Sequence, residues 1–265
     1  MEDMNRIVAT HNLLFLSFDT LRYDVARDAY AAGKTPNLAA LMGSTWEARH
    51  TPASFTYAAH QAFFAGFLPT PVQPGPHARL FATAFAGSET TTTTTCVLPT
   101  DNIVTGLASM GFHTICIGGV GFFSKRDPLG SVLPAMFAES HWDESLGVTT
   151  PDSTRNQFQL AARLLDRLPV DRRFFLFINL AALHQPNCFY LDAAQDTLAS
   201  HEAALVYIDS QLPLLTEAIR RRGDCFAIFC SDHGTAYGED GYHGHRLAHE
   251  VVWTVPYRDF TIEGI

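Results

Sequence analysis

Side chains that commonly bind metal ions are concentrated in one short stretch, SDHGTAYGEDGYHGHRLAHE (residues 231–250). It holds four of the twelve histidines, two aspartates and two glutamates. Asp232 and His233 directly follow an apolar run, and Gly234 allows the backbone to turn sharply behind them. A carboxylate beside an imidazole suits zinc or manganese. Taken alone, the pattern fits a metal site and an ordinary turn about equally well.

The elements that would position these residues follow an alternating pattern. Four apolar runs are typical of buried parallel strands: NLLFLSFD (12–19), FHTICIGG (112–119), RFFLFINL (173–180) and CFAIFCSD (225–232). Amphipathic helical patterns separate them, and one of these begins at a Thr35-Pro36 cap. The order predicts an α/β fold, a three-layer α/β/α sandwich around a mostly parallel sheet. Asp19 and Asp232 would then lie at the same sheet edge, where ligands bind.

Composition limits the class of protein. The 265 residues, about 47% of them hydrophobic, favour one domain spanning residues 1–265. The net charge of −9 argues against a nucleic-acid partner. No segment is long enough to span a bilayer, and no leader pattern is present. Five cysteines without a close-spaced framework indicate reduced thiols. We therefore expect a soluble cytoplasmic protein without a membrane partner, whose oligomeric state the sequence leaves open.

Two segments receive a plain interpretation. The threonine run within SETTTTTTC (residues 88–96) is interpreted as a loop without an assigned function, and TPVQPGP (residues 70–76) as a connection.

Several segments together resemble a known superfamily. LSFDTLRYDVA, KTPNLAAL, TPASFTYAAHQAFFAGFLP, ALHQPNCFY and FCSDHGTAYGEDGYHGH with HEVVWTVP occur in this order. They resemble the successive signatures of the alkaline phosphatase superfamily, in its sulfatase-like branch of hydrolases and transferases. The resemblance covers nearly the whole chain and is weakest between about Gly75 and Ser153.

The resemblance implies a role for each of eight residues. Asp19, Asp232 and His233 would bind a first metal, and Thr56 would be both a ligand of that metal and the nucleophile. His184 and His245 would bind a second metal or the oxygens of the substrate. The remaining two, His60 and His249, would contact the substrate. His245 is preferred to His243 on spacing. The implied cofactor is a divalent metal, zinc first, with manganese or calcium as alternatives.

Three departures from the family pattern shape the expectations. Formylglycine-dependent sulfatases have a Cys or Ser nucleophile and an Arg four residues later, whereas this chain has Thr56 and His60. No Asp closely precedes His184, so the second metal is absent, weakly bound, or held by His184, His245 and a neighbour such as His249 or His243. The sequence ends soon after Pro256, so we expect no smaller C-terminal subdomain. GFFSKRDPLG, with Lys125 and Arg126, is then a candidate pocket wall.

The function that follows is hydrolysis of a small anionic ester, a phosphate or phosphonate. A threonine hydroxyl needs a base or a metal to become a nucleophile, and a helix N-terminus favours an anionic group. Thr56 would attack phosphorus to give a phosphothreonine that water cleaves. The alternatives are a phosphoryl-group transferase, a sulfatase-like esterase, and a degenerate protein that binds without turnover.

Overall fold

The protein alternates strands and helices along the chain. The computed structural model describes residues 3–66 and 101–265. Its strands are β1 (Asn12–Phe18), β2 (Glu47–His50), β3 (His113–Ile117), β4 (Glu139–His141), β5 (Phe174–Leu180), β6 (Cys225–Ser231), β7 (Ala236–Tyr237), β8 (His243–Gly244) and β9 (Thr254–Ile262). Its helices are α1 (Met4–Thr10), α2 (Tyr23–Ala31), α3 (Pro36–Met42), α4 (Thr56–Ala65), α5 (Ile103–Ser109), α6 (Pro128–Val132), α7 (Ser153–Arg167), α8 (Leu198–Arg220) and α9 (Glu250–Trp253).

Seven strands of the described residues form one sheet in the order β2-β9-β6-β1-β5-β3-β4. The strands β6, β1, β5, β3 and β4 are parallel, while β9 runs antiparallel to β6 and to β2. The predicted α/β fold with a mostly parallel sheet is therefore confirmed. The four apolar runs form β1, β3, β5 and β6. The sequence reading missed β2, β4 and β9.

Helices pack on both faces of the sheet, because its central strands are apolar on both sides. Along β1, Leu14 and Leu16 point into one core with α2, α3, α7 and α8. Leu13 and Phe15, which alternate with them along the strand, point into a second core with α1, α4 and α5. This alternation follows the two-residue period of a strand, and it gives the three predicted layers.

Some features of the sequence fall outside the described residues: the threonine run, the 70–76 connection and Cys96. Cys116, Cys188, Cys225 and Cys230 are free thiols. Among the described helices, none combines the length and the apolar character needed to cross a membrane.

The start of α3 is stabilised differently from the expected Thr35 cap. Thr35 occupies the N-cap position, but its side chain makes no capping hydrogen bond. Instead, Asp209 of α8 accepts hydrogen bonds from Leu38 N at 2.7 Å and from Asn37 N at 3.2 Å. Asp209 is buried. A carboxylate from a neighbouring helix therefore caps α3 and ties it to α8, a tertiary contact that local sequence does not reveal.

Replacing Asp209 by Ala should lower the free energy of unfolding by about 2–3 kcal/mol, because the buried N–H of Leu38 and the part-buried N–H of Asn37 lose their acceptor. Chemical denaturation measures the loss. Asp166 offers a matched control, since its exposed ion pair with Arg221 contributes at most about 1 kcal/mol. Equal losses in Asp209→Ala and Asp166→Ala would show that Asp209 is not the cap.

Candidate active site

Three adjacent strands end beside one another and carry the candidate residues. Phe18, the last residue of β1, pairs with Ser231 of β6 on one side and with Leu180 of β5 on the other. Asp19 and Asp232 therefore emerge side by side at the carboxyl edge, and His184 lies in the loop after β5. The register of the parallel sheet thus brings together residues that are more than two hundred positions apart.

Asp19, Asp232 and His233 form a compact group of possible metal ligands. One ligand atom from each lies within 4.8 Å of the others, and all three side chains are fully buried. Within residues 3–66 and 101–265, no second group of three His, Cys, Asp or Glu side chains meets this criterion. Asp19 Oδ1 and Asp232 Oδ2 have no hydrogen-bond donor. Two buried carboxylate oxygens without donors, beside an imidazole, fit a divalent cation.

The other oxygen of each carboxylate is held by the protein. Asp19 Oδ2 accepts a hydrogen bond from Asn179 Nδ2 at 3.0 Å. Asp232 Oδ1 accepts from Thr20 N at 3.1 Å and from His233 N at 3.0 Å. Thr20 adopts a φ of 65°, which is strained for a β-branched residue. The strained turn points the N–H of Thr20 at Asp232, so the backbone itself orients the Asp232 carboxylate as a possible metal ligand.

His233 presents a nitrogen lone pair to the same point. Its Nδ1 lies 2.9 Å from Gly234 O, which places the ring proton on Nδ1 and leaves Nε2 as an acceptor. Burial lowers the pKa of His233, which favours the neutral ring that a metal requires. Gly234 is needed for a close approach and not for a special turn, because a Cβ there would lie 1.9 Å from Val251 O.

The two carboxylates are poorly accommodated without a cation. Burial, followed by the negative charge of Asp232, raises the pKa of Asp19 to about 6. Burial raises the pKa of Asp232 to about 7. A bound divalent ion would remove both effects by compensating the charge.

Thr56 is the first residue of α4, and its hydroxyl faces the ligands. Oγ1 lies 3.4 Å from Asp19 Oδ2 and 3.3 Å from His233 Nε2. The N-cap position belongs to Phe55, so Thr56 is not an ordinary N-cap residue. The hydroxyl is placed where a metal ligand or a nucleophile would lie, at the positive end of the helix dipole.

His184 and His245 line a cleft of 380 Å³ that opens beside Thr56. The His245 ring lies 4.5 Å from the His233 ring and 5.7 Å from the His184 ring, measured between centroids. The expected pair of cleft histidines is therefore in place. Among the described residues, no carboxylate completes a second group with them. Weak occupancy of a second metal site remains a prediction.

Two other histidines lie elsewhere in the loop. His243 is exposed in β8. His249 caps α9 by accepting a hydrogen bond from Val251 N, and its Nε2 lies 3.1 Å from Asp240 Oδ2. It does not line the cleft. The expectation that His249 contacts the substrate is corrected, because its ring nitrogens are used within its own loop.

His60 also requires correction, because it is fully buried and does not reach the cleft. Its Nδ1 lies 2.7 Å from Thr56 O, and its Nε2 lies 3.0 Å from Ser17 Oγ. Burial lowers its pKa to about 3, so the ring is neutral. His60 connects β1 to the first turn of α4, and it supports Thr56 from behind.

Sequence reasoning missed two residues of the site. Asn179, the last-but-one residue of β5, orients Asp19, and its Oδ1 accepts from Gly119 N at 3.3 Å. Arg246 lines the cleft beside His245, and its guanidinium lies over the Phe55 ring at 5.6 Å. A lone amide near the end of an apolar strand was the available signal for Asn179. Arg246 offered none beyond its place next to His245.

The candidate wall GFFSKRDPLG does border the cleft, although its two cations differ. Arg126 lines the cleft and pairs with Glu144 at 2.8 Å. Lys125 instead donates to Ser140 O at 2.6 Å.

Comparison with known proteins gives the family. Residues 11–259 match the family model described as Sulfatase. The chain belongs to the sulfatase family. This assignment confirms the suspected alkaline phosphatase superfamily. A search of curated proteins gave no match.

Solved structures of this sulfatase-family fold are similar at low sequence identity. The C-terminal periplasmic domain of EcEptC from Escherichia coli, in complex with Zn, has a TM-score of 0.64 and 14% identity over 96% of this chain and 73% of that one. The soluble domain of lipooligosaccharide phosphoethanolamine transferase A from Neisseria meningitidis has a TM-score of 0.61 and 14% identity, over 95% of this chain and 77% of that one. A putative sulfatase from Bacteroides thetaiotaomicron has a TM-score of 0.63 and 12% identity, over 97% of this chain and 65% of that one. At these identities the likeness establishes the fold alone.

Metal titration of the chelator-treated protein should show one tight divalent site. Asp232→Ala should weaken it more than about 100-fold, because losing a direct ligand costs more than losing an outer partner. Calorimetry with zinc measures both. Asp240→Ala in the same loop is the control, since Asp240 is 81% exposed in its side chain. A full tight equivalent in Asp232→Ala would exclude this ligand set.

The metal-free protein should lose stability as the pH rises from about 4 to about 7. The folded pKa values of Asp19 and Asp232, about 6 and about 7, lie above the ordinary 3.8, so folding favours the protonated carboxyls. The stabilisation of the folded state by these two carboxyls is complete below about pH 4, and it is lost as the pH rises through 6–7. Thermal unfolding in chelator measures the slope. Asp232→Asn should flatten it, and an unchanged slope in this variant would contradict the assignment.

Proposed function

We propose that this chain is a metal-dependent hydrolase of phosphate or phosphonate esters, with Thr56 as nucleophile. The observation that carries the proposal is the position of the Thr56 hydroxyl. It lies within 3.4 Å of both Asp19 and His233, and Thr56 also lines the cleft. A substrate in the cleft would therefore meet the hydroxyl and the ligand group together.

The cofactor of this proposal is one divalent ion held by Asp19, Asp232, His233 and Thr56. Zinc is the first choice because carboxylate, imidazole and hydroxyl donors suit it, and manganese or calcium are alternatives. The EcEptC domain was solved with Zn. When bound, such an ion lowers the pKa of a coordinated hydroxyl and neutralises phosphoryl charge.

The protein's own groups would orient the substrate for attack. The first-turn N–H groups of α4 and the guanidinium of Arg246 provide positive charge for the phosphoryl oxygens. Burial and the neighbouring His233, His184 and Arg246 lower the pKa of His245 to about 3. Its neutral ring can donate one hydrogen bond to the leaving oxygen without carrying a charge.

The covalent step exchanges one phosphorus–oxygen bond for another. Thr56 Oγ forms a bond to phosphorus as the bond to the alcohol oxygen breaks, and the alcohol leaves with a proton. Water then cleaves the phosphothreonine and restores the hydroxyl. Placement of the reacting groups and charge stabilisation supply most of the acceleration in such reactions.

A phosphoryl centre suits this site better than a sulfate ester. The formylglycine route of sulfatases starts from a Cys or Ser that is oxidised to an aldehyde. Thr56 would give a ketone under the same oxidation, because its Cβ carries a methyl group. A hydroxyl nucleophile remains, and it is the group that phosphoryl transfer requires.

A transferase is the second candidate, favoured by the neighbour from Neisseria meningitidis, which is a phosphoethanolamine transferase. The two functions share the first step and differ in the acceptor. Adding a small alcohol during turnover distinguishes them: a hydrolase releases phosphate as the main product, and a transferase forms the new ester.

Thr56→Ala should lower activity by at least about a thousandfold, because a covalent nucleophile is lost. A screen of chromogenic phosphate monoesters, phosphate diesters, phosphonate esters and sulfate esters supplies the substrate. Thr56→Ser, which keeps the hydroxyl, should retain much of the rate, and both variants should fold normally.

Near-normal turnover by Thr56→Ala would exclude covalent catalysis at this residue. If the metal-loaded wild type turned over none of the esters, the alternative of a degenerate binding protein would be favoured instead.

A further inference from the structure

The cleft beside Thr56 has one polar end and one apolar wall. Thr56, His184, His245 and Arg246 form the polar end. The wall contains Phe122, Leu129, Trp142 and Val148. Each of these four side chains is only partly buried and packs against the second core. They therefore rest on the core with one side and face the cleft with another.

This apolar wall begins next to the nucleophile. The Phe122 ring lies 5.6 Å from the ring of Tyr57 and 6.5 Å from that of Phe55, and these two residues flank Thr56. A group attached to a phosphorus atom at Thr56 would therefore lie directly against aromatic surface.

Arg126 and Asp127, beside the apolar wall, already have partners. The Arg126 guanidinium stacks over the Trp142 ring at 4.6 Å and pairs with Glu144. Asp127 Oδ1 accepts a hydrogen bond from Gly130 N at 2.7 Å, where it caps α6. A cationic group on the substrate would have to compete for these carboxylates, whereas an apolar group meets no competition.

We infer that the substrate of the proposed hydrolase carries a compact apolar group, about one aromatic ring in size, on its phosphoryl centre. The inference rests on the proposed function and adds the class of alcohol that the site selects. The volume of 380 Å³ lies at the lower end of ligand sites, which leaves room for one ring beside the phosphoryl group.

The test measures the binding of four non-reacting ligands to zinc-loaded protein by calorimetry: inorganic phosphate, methylphosphonate, 2-aminoethylphosphonate and phenylphosphonate. Phenylphosphonate should bind about tenfold more tightly than methylphosphonate, because the wall removes its ring from water. These ligands have no leaving group, so differences in chemical reactivity do not contribute.

Two outcomes would overturn the inference while phosphate still binds. One is equal affinity for phenylphosphonate and methylphosphonate, and the other is tightest binding of 2-aminoethylphosphonate. Failure of all four ligands to bind would instead contradict the proposed phosphoryl chemistry, and the inference would fall with it.

Variants of the apolar wall test which side chains cause the preference for phenylphosphonate over methylphosphonate. Phe122→Ala and Leu129→Ala should each reduce the phenyl-to-methyl affinity ratio by about threefold or more, since apolar contact area is lost. The phosphate affinity of each variant reports whether the polar end is intact. Leu191→Ala is the control, because Leu191 is 50% exposed and outside the cleft. Its ratio should match that of the wild type, and an equal fall in this control would remove the wall from the explanation.

Discussion

Two carboxylates buried side by side impose the constraint on which the site depends. Asp19 and Asp232 are fully removed from water, and among the described residues no Lys or Arg pairs with either. Burying one such charge is already expensive, and a second adds repulsion. The fold nevertheless fixes one oxygen of each with N–H donors and leaves the other open. A cation bound to the open oxygens would stabilise this arrangement by compensating both charges.

The surroundings of this pair are built to keep its geometry. His60 joins Ser17 of β1 to Thr56 of α4, and the rings of Phe63, Phe64, Phe123 and Phe177 surround it. Arg22, nearly buried, pairs with Asp24 at the start of α2 and with Glu239 in the loop that carries His245. A neutral ring behind Thr56 and the ion pairs of the buried Arg22 beside the loop support the site without adding charge at its centre.

Sequence reasoning was most successful for elements that are defined by their own consecutive residues. The apolar runs gave the central strands, and their terminal acids gave Asp19 and Asp232, because parallel strands end at a common edge. It failed where a contact comes from elsewhere in the chain: Asp209 capping α3, Asn179 orienting Asp19, and the antiparallel strand β9. His60 shows the same limit. The resemblance to the superfamily implied a substrate contact for this residue, but one helical turn places its ring behind Thr56 and not in the cleft.

On the proposed function, catalysis and substrate selectivity would depend on different parts of the chain. The residues around the two carboxylates come from segments that resemble the superfamily, because strand ends in a fixed register can place ligands in only one way. Phe122, Leu129, Trp142 and Val148 all lie in the part, between about Gly75 and Ser153, where that resemblance is weakest. They reach the cleft from the connections after β3 and β4, which the ligand geometry does not constrain. On the proposed function, a change of substrate would require new side chains in those connections, and the sheet edge that carries the ligand group could remain as it is.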